Sequence, residues 1–239
     1  MKKHNKKQFI IVAPDTDSGK TVVTAALTKL LKKEGVNVGI MKPVQTGSLD
    51  GRSEDLDYIL TQSGFILSKG QYTKATPYTF TNPCSPHLAA AQEKKPIILE
   101  KIVTHRNLLL DDFDTLLIES AGGIMTPLSN STTNLDLIKA LAIPAIVVIP
   151  NKLGAISQGL TTLALLRYEN IKVAGIILNE LTPATTDLEH EIYNNNQKTI
   201  VAKGKVPYLG TLRYNGLTEG TLKKQLVGAY TLLTQQEGL

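Results

Sequence analysis

The stretch over residues 9–21 constrains this chain more than any other. A continuous apolar run, residues 9–13, stops at a polar loop, Pro14-Asp15-Thr16-Asp17-Ser18, that opens onto Gly19-Lys20-Thr21 and a helix-forming sequence. An unbroken apolar strand is what a parallel sheet covered on both faces requires. A loop leading into Gly-Lys-Thr at a helix start presents backbone N–H groups and an ammonium to one point, an arrangement that binds phosphate. The usual loop of this kind has a glycine, four residues and then Gly-Lys-Ser/Thr. Here Pro14 holds the place of that first glycine, with Ala13 before it, so the rest of the chain has to agree before the loop carries weight.

It does agree in pattern. Val22, Val23, Ala26, Leu27, Leu30 and Leu31 recur at helical spacing and Gly35 stands at a C-cap position, which predicts a helix from the loop to Gly35. Residues 36–41 read as a second strand, followed by the polar turn Lys42-Pro43-Val44-Gln45-Thr46-Gly47, and residues 54–62 as a short helix carrying Asp55 and Asp57. Residues 72–87, with three prolines and little period, are expected to be an ordered loop. Helices follow over 88–93 and 97–110, with Pro96 at a helix start. Residues 113–118 are a strand ending in Glu119-Ser120-Ala121-Gly122-Gly123; 135–141 a helix; 145–149 a strand leading into Asn151-Lys152-Leu153-Gly154. A helix through Ile156, Leu160, Leu163 and Ala164, a strand over 173–178 ending at Asn179, a polar helix over 187–198, a strand over 206–209 and a helix over 221–234 complete the chain. This alternation predicts an α/β fold: a doubly wound, mainly parallel sheet with helices on both faces, in a single domain over 1–239.

Composition narrows the function classes. The formal net charge is +5, but much of the basic excess is Lys2, Lys3, Lys6 and Lys7, read as a solvated tail. With no Trp and 5% aromatic residues there is little to stack on bases, so nucleic acid is not an expected partner. One cysteine, Cys84, excludes an internal disulfide and fits a cytoplasmic setting. No signal peptide is read, and the most apolar stretch, 142–150, is too short to cross a bilayer as a helix, so no membrane role is expected.

In an open parallel sheet the ligand crevice lies outside the carboxyl ends of the strands. Lys20, Thr21, Lys42, Thr46, Asp55, Glu119 and Asn179 all fall at or near such ends. Two lysines offset phosphate charge, and a Thr hydroxyl with two carboxylates offers hard oxygen ligands of the kind magnesium takes, which together is equipment for phosphoryl transfer. Each residue also has a plain structural reading: a solvated lysine, a capping carboxylate, an Asn in a turn. His87 reads as structural, His4, His105 and His190 show no metal-ligand spacing, and Cys84 reads as an inert thiol.

The set Asp15-Thr16-Asp17-Ser18-Gly19-Lys20-Thr21, Lys42-Pro43-Val44-Gln45-Thr46-Gly47, Pro77-Tyr78-Thr79-Phe80 with Ser85-Pro86-His87, residues 119–127, Lys152-Leu153-Gly154 and Asn179 resembles the dethiobiotin synthetase family. These are P-loop, ATP-dependent ligases that close the ureido ring in biotin biosynthesis. Five residues rather than four separate the glycines in that family's loop, so its first glycine falls on Ala13. The resemblance implies that 7,8-diaminononanoate takes up carbon dioxide as a carbamate, which attacks the ATP γ-phosphate before the second amine closes the ring. It implies an ATP site of Thr16, Asp17, Ser18, Gly19, Lys20, Thr21, Val22, Asp55, Glu119, Ser120, Ala121, Gly122, Asn179 and Arg213, with magnesium on Thr21, Asp55 and Glu119. Catalytic roles fall to Lys20 and Lys42. Lys42 and Thr46 meet the carbamate end of the substrate; Lys152, Leu153, Gly154, Ala155 and Ser157 hold its carboxylate tail across the interface of a homodimer.

Three departures stand out. Ala13 and Pro14 replace a glycine opening, Ser120 stands in place of a glycine, and Thr211-Leu212-Arg213-Tyr214 lacks a proline expected in the adenine loop. A P-loop ATPase that switches a partner protein and a non-catalytic nucleotide-binding paralogue are the competing readings.

Overall fold

The computed structural model describes residues 6–217 and 219–235; Lys2, Lys3 and His4 lie outside them. In chain order the elements are β1 (Lys7–Val12), α1 (Lys20–Lys33), β2 (Val38–Met41), β3 (Val44–Gln45), α2 (Glu54–Ser63), α3 (Lys69–Ala75), β4 (Tyr78–Thr79), α4 (Pro86–Gln92), α5 (Leu99–Asp112), β5 (Thr115–Glu119), α6 (Asn134–Leu141), β6 (Ala145–Pro150), α7 (Ala155–Tyr168), β7 (Val173–Asn179), α8 (Asp187–Gly204), β8 (Tyr208–Leu212), α9 (Glu219–Gln225) and α10 (Val227–Thr234). Six strands form one sheet in the order β2-β5-β1-β6-β7-β8, and every neighbouring pair is parallel.

The apolar strands explain both faces. Along β1, Ile10 and Val12 join one buried cluster, while Phe9, Ile11 and the following Ala13 join the other. The second cluster is closed by Val23, Ala26, Leu27, Leu30 and Leu31 of α1 and by Leu222, Leu226, Ala229 and Leu233 of the last two helices. Fully burying each such Leu or Val stabilises by about 1.5–3 kcal/mol. From β1 the chain moves out to β2 on one side, and from β5 it crosses to β6 on the other. Strand order therefore reverses at β1, and the loop after it hangs over that switch point.

Several local expectations are corrected. Strand β2 begins at Val38, not residue 36, because Val36 is used in ending α1: its N–H donates to the Leu31 carbonyl at 3.0 Å. The segment 72–87 is not a loop throughout. It holds the end of α3, strand β4 and the start of α4. β4 pairs in parallel with β3, and the rings of Tyr78 and Phe80, both buried, stack 6.2 Å apart. The proline that opens a helix is Pro86 at the start of α4; Pro96 lies ahead of α5. Helix α8 continues past residue 198 to Gly204, with Ile200 buried. The C-terminal helix breaks at Leu226, whose φ of −115° and ψ of 38° let α10 turn onto β8. Lys7 is no tail residue: it starts β1, and its ammonium donates to the Leu233 carbonyl at 3.1 Å, capping the end of α10.

Candidate active site

The loop after β1 makes its left-handed turns at Asp17 (φ 56°) and Gly19 (φ 80°), not at its opening. The opening is held from the other side. Ile124 N–H donates to the Ala13 carbonyl at 3.0 Å, and Gly123 packs so close to the Pro14 carbonyl that a Cβ there would overlap it. Pro14 has no N–H to offer, and none is needed where a neighbouring loop secures the turn. Within the loop the Ser18 hydroxyl donates to the Asp15 carbonyl at 2.8 Å and the Lys20 ammonium to the same oxygen at 3.3 Å.

Beside it four side chains converge from four elements. Lys42, after β2, is 4% exposed; its Nζ lies 2.6 Å from Asp55 Oδ2 and 2.8 Å from Glu119 Oε1. Thr21 Oγ1, on the first turn of α1, lies 2.8 Å from Glu119 Oε1 and 3.2 Å from Asp55 Oδ1. Asp55 sits on the first turn of α2, which Ser53 starts by accepting the Leu56 N–H, and Ser53 also donates to Gln45 Oε1 at 2.8 Å. Burial pushes the Lys20 ammonium down to about 8, helped by the neighbouring charge of Lys42 and opposed by Glu119, Asp55 and Asp15. Burial also works against charge on Lys42, yet Glu119 and Asp55 outweigh it and hold its pKa above the ordinary lysine value. Asp55 is the counterpart: burial raises it, but Lys42, Thr21 and Lys20 bring it below the usual carboxylate range.

The donor set fits magnesium. Two carboxylates and a hydroxyl are hard oxygens in the small number that this ion takes from protein beside phosphate and water. Glu119 Oε2 is buried and has no hydrogen-bond partner among the described residues, an unsatisfied acceptor of the kind a cation satisfies. No group of three or more His, Cys, Asp or Glu that could hold a metal occurs among those residues.

Other expected residues are placed less tightly. Asn179, at the end of β7, is 3% exposed and donates through Nδ2 to the Ser18 carbonyl at 3.1 Å. Ser120 N–H donates to the Ile11 carbonyl, and its own buried hydroxyl lacks a partner among the described residues. Ala121 and Gly122 are half-buried, with Asn134 donating from α6 to the carbonyls of Ala121 and Gly123. Thr16 and Asp17 are exposed, while Val22 and Thr46 are half-buried. Lys152, Leu153 and Gly154 form an exposed turn before α7, where Ala155 is buried and Ser157 exposed. Arg213 is exposed and its N–H donates to Gln225 Oε1 at 2.8 Å. Asp57, flagged with Asp55, is instead paired with Arg52 at 2.6 Å. His87 donates its backbone N–H to the Pro127 carbonyl, and its Nδ1 is buried without a partner among the described residues.

The positioning residues behind the site carry almost no sequence signal. Ala75, at the end of α3, accepts the Lys42 N–H at 2.9 Å. Asn196 of α8, buried, donates to Asn151 Oδ1 at 2.9 Å and to the Lys152 carbonyl at 3.0 Å. Only the helix-cap pattern of Ser53 before two acidic residues was open to sequence reasoning.

Comparison with known proteins identifies the family and the fold. A family model described as AAA domain matches residues 7–221. The ATP-dependent dethiobiotin synthetase BioD of Methanococcus vannielii is 34% identical over 202 residues, covering 84% of this chain and 91% of the relative. The protein of the same name from Bacillus cereus strain G9842 is 32% identical over 220 residues, covering 92% and 87%. Among solved structures, the MinC:MinD cell division complex of Aquifex aeolicus matches with TM-score 0.58 at 15% identity, covering 98% of this chain and 97% of that one. A ParA family ATPase from Chlorobium tepidum TLS matches with TM-score 0.53 at 14% identity, covering 97% and 95%. These last two speak for the P-loop NTPase fold alone. The length and identity of the sequence matches, on that fold, show that the chain belongs to the ATP-dependent dethiobiotin synthetases, a family of ligases.

Proposed function

We propose that this chain forms dethiobiotin from 7,8-diaminononanoate, carbon dioxide and ATP, releasing ADP and phosphate. The observation that carries the reading is the convergence of Lys42, Asp55, Glu119 and Thr21 beside a phosphate loop with Lys20. One amine of the substrate adds to carbon dioxide and loses a proton, giving a carbamate. A carbamate oxygen attacks the γ-phosphorus and ADP leaves. The second amine then attacks the carbonyl carbon of the mixed anhydride, inorganic phosphate leaves and the ring closes. Carbamate and triphosphate repel each other, so the catalytic need is cationic charge held in a site with little water.

Lys20 and the loop Thr16, Asp17, Ser18, Gly19, Thr21 and Val22 would hold the phosphates. Lys42 would bridge carbamate and γ-phosphate, with Thr46 orienting the same end of the substrate. Magnesium on Thr21, Asp55 and Glu119 would supply charge neutralisation to the β- and γ-phosphates. Ser120, Ala121 and Gly122 would line the nucleotide, Asn179 would read the adenine edge, and Arg213 would flank the base. Lys152, Leu153, Gly154, Ala155 and Ser157 would receive the carboxylate tail from the partner of a homodimer, since a helix N-terminus suits a carboxylate. Leu153 and Met125 are apolar and exposed in loops after strands, which supports such an interface. A cytoplasmic setting is supported by the single free cysteine, Cys84.

The test is ATP turnover with and without diamine and bicarbonate, with mass spectrometry of the product. Phosphate release should depend on the diamine and match dethiobiotin formed. Release indifferent to the diamine would favour a switch ATPase, and no release at all a nucleotide-binding paralogue.

A further inference from the structure

Asn179 makes a contact that base recognition does not require. It ends β7, where its carbonyl accepts the Asn151 N–H at 2.7 Å and its backbone pairs in register with Pro150 of β6. Its side chain is therefore delivered from a rigid sheet terminus. The Nδ2 donates to the Ser18 carbonyl at 3.1 Å, one residue ahead of the left-handed Gly19. The side chain also fills the space over that turn, since a Cβ on Gly19 would overlap the Asn179 amide nitrogen. Gly19 is the residue just before α1, where the unpaired N–H groups that would face a phosphate begin.

We propose that Asn179 is a positioning residue for the phosphate loop: its side-chain amide holds the Ser18 carbonyl and so fixes the Gly19 turn that aims the first amides of α1. The inference rests on the nucleotide reading given above. It differs from that reading in what Asn179 does, because a residue that only meets adenine matters to ATP and not to a polyphosphate without a base. A backbone nest works only when its N–H groups converge, and a carbonyl released at Ser18 frees the peptide that orients them. The effect should thus appear on the phosphate end of the ligand.

Asn179→Leu tests this, because leucine keeps the branching of the side chain and adds no charge while removing the donor. Binding of ATP and of tripolyphosphate, each with magnesium, is measured by calorimetry on the full chain, alongside KM for ATP and for the diamine. Both ligands should bind about tenfold more weakly, the scale of leaving one buried polar group without its partner. KM for ATP should rise with them and KM for the diamine should stay within twofold of wild type. Tripolyphosphate affinity unchanged while ATP affinity falls would overturn the inference and leave Asn179 as a base reader. Should the leucine variant fail to fold, Asn179→Ala answers the same question by the same ratio. A wild-type chain that binds neither ligand would overturn the functional reading, and the inference with it; wild-type binding beside an unaffected variant would overturn the inference alone.

Discussion

Lys42 shows how much one residue's surroundings decide. A buried ammonium is costly unless paired, and here its two partners are the same carboxylates that fit a cation. A cation bound there would therefore compete with the lysine for one set of oxygens. Lys42→Met should lower turnover at least about a hundredfold, the scale of losing one preorganised charge stabiliser, with the circular dichroism spectrum kept. In the same variant, manganese binding without nucleotide, followed by electron paramagnetic resonance, should tighten; weaker binding would argue against competition. Lys20 makes a separate prediction through pH. Its pKa in the free protein is about 8, so it is charged below that and neutral above it. Phosphate binding favours the charged form. ATP affinity should thus be flat below pH 8 and fall as pH rises through it, by up to about tenfold per unit. Calorimetry from pH 7 to about 9.5 checks this, and a flat profile would remove Lys20 from the phosphates.

At the level of elements, α2 exists to bring Asp55 to the site, and Ser53 sets where it starts. Ser53→Ala removes the cap, about 1 kcal/mol, and leaves Gln45 Oε1 without its buried donor, a further ~1–3 kcal/mol. Urea unfolding should show a combined loss of about 2–4 kcal/mol, while a loss under about 0.5 kcal/mol would match an inconsequential surface change. The long elements were legible in the sequence for a physical reason. Strands such as β6 are buried on both faces and so are apolar throughout, and α1 carries its apolar stripe over several turns. The short ones were not: β3 and β4 have two residues each, too few to show any period, and only pairing with each other makes them strands. The site divides in the same way. Loops after strands announced Lys20, Lys42, Glu119 and Asn179, but not that Lys42 reaches between two carboxylates distant in sequence. Asn134 and Asn196, which hold the Gly123 loop and the Lys152 turn, are single polar residues in polar stretches of sequence and give no pattern to read.

For the whole molecule, an all-parallel sheet places every strand's carboxyl end on one edge, so the crevice at β1 and the turn before α7 open on the same side. The Lys152 turn makes no hydrogen bond or ion pair with the Lys42 cluster among the described residues. Two copies related by a twofold axis would bring each turn to the other's crevice, because a twofold contact presents the same surface from both sides. Complementation between variants checks this. Lys42→Met disables the chain's own crevice, and Lys152→Glu disables what it lends to its partner. If the site is shared, a mixed dimer contains one crevice damaged twice and one intact. Co-expression in equal amounts gives mixed dimers in half of the population, so activity should recover to about a quarter of wild type. Activity no greater than the average of the two parents would mean that each site is built from one chain, and would place the carboxylate tail on that chain's own residues.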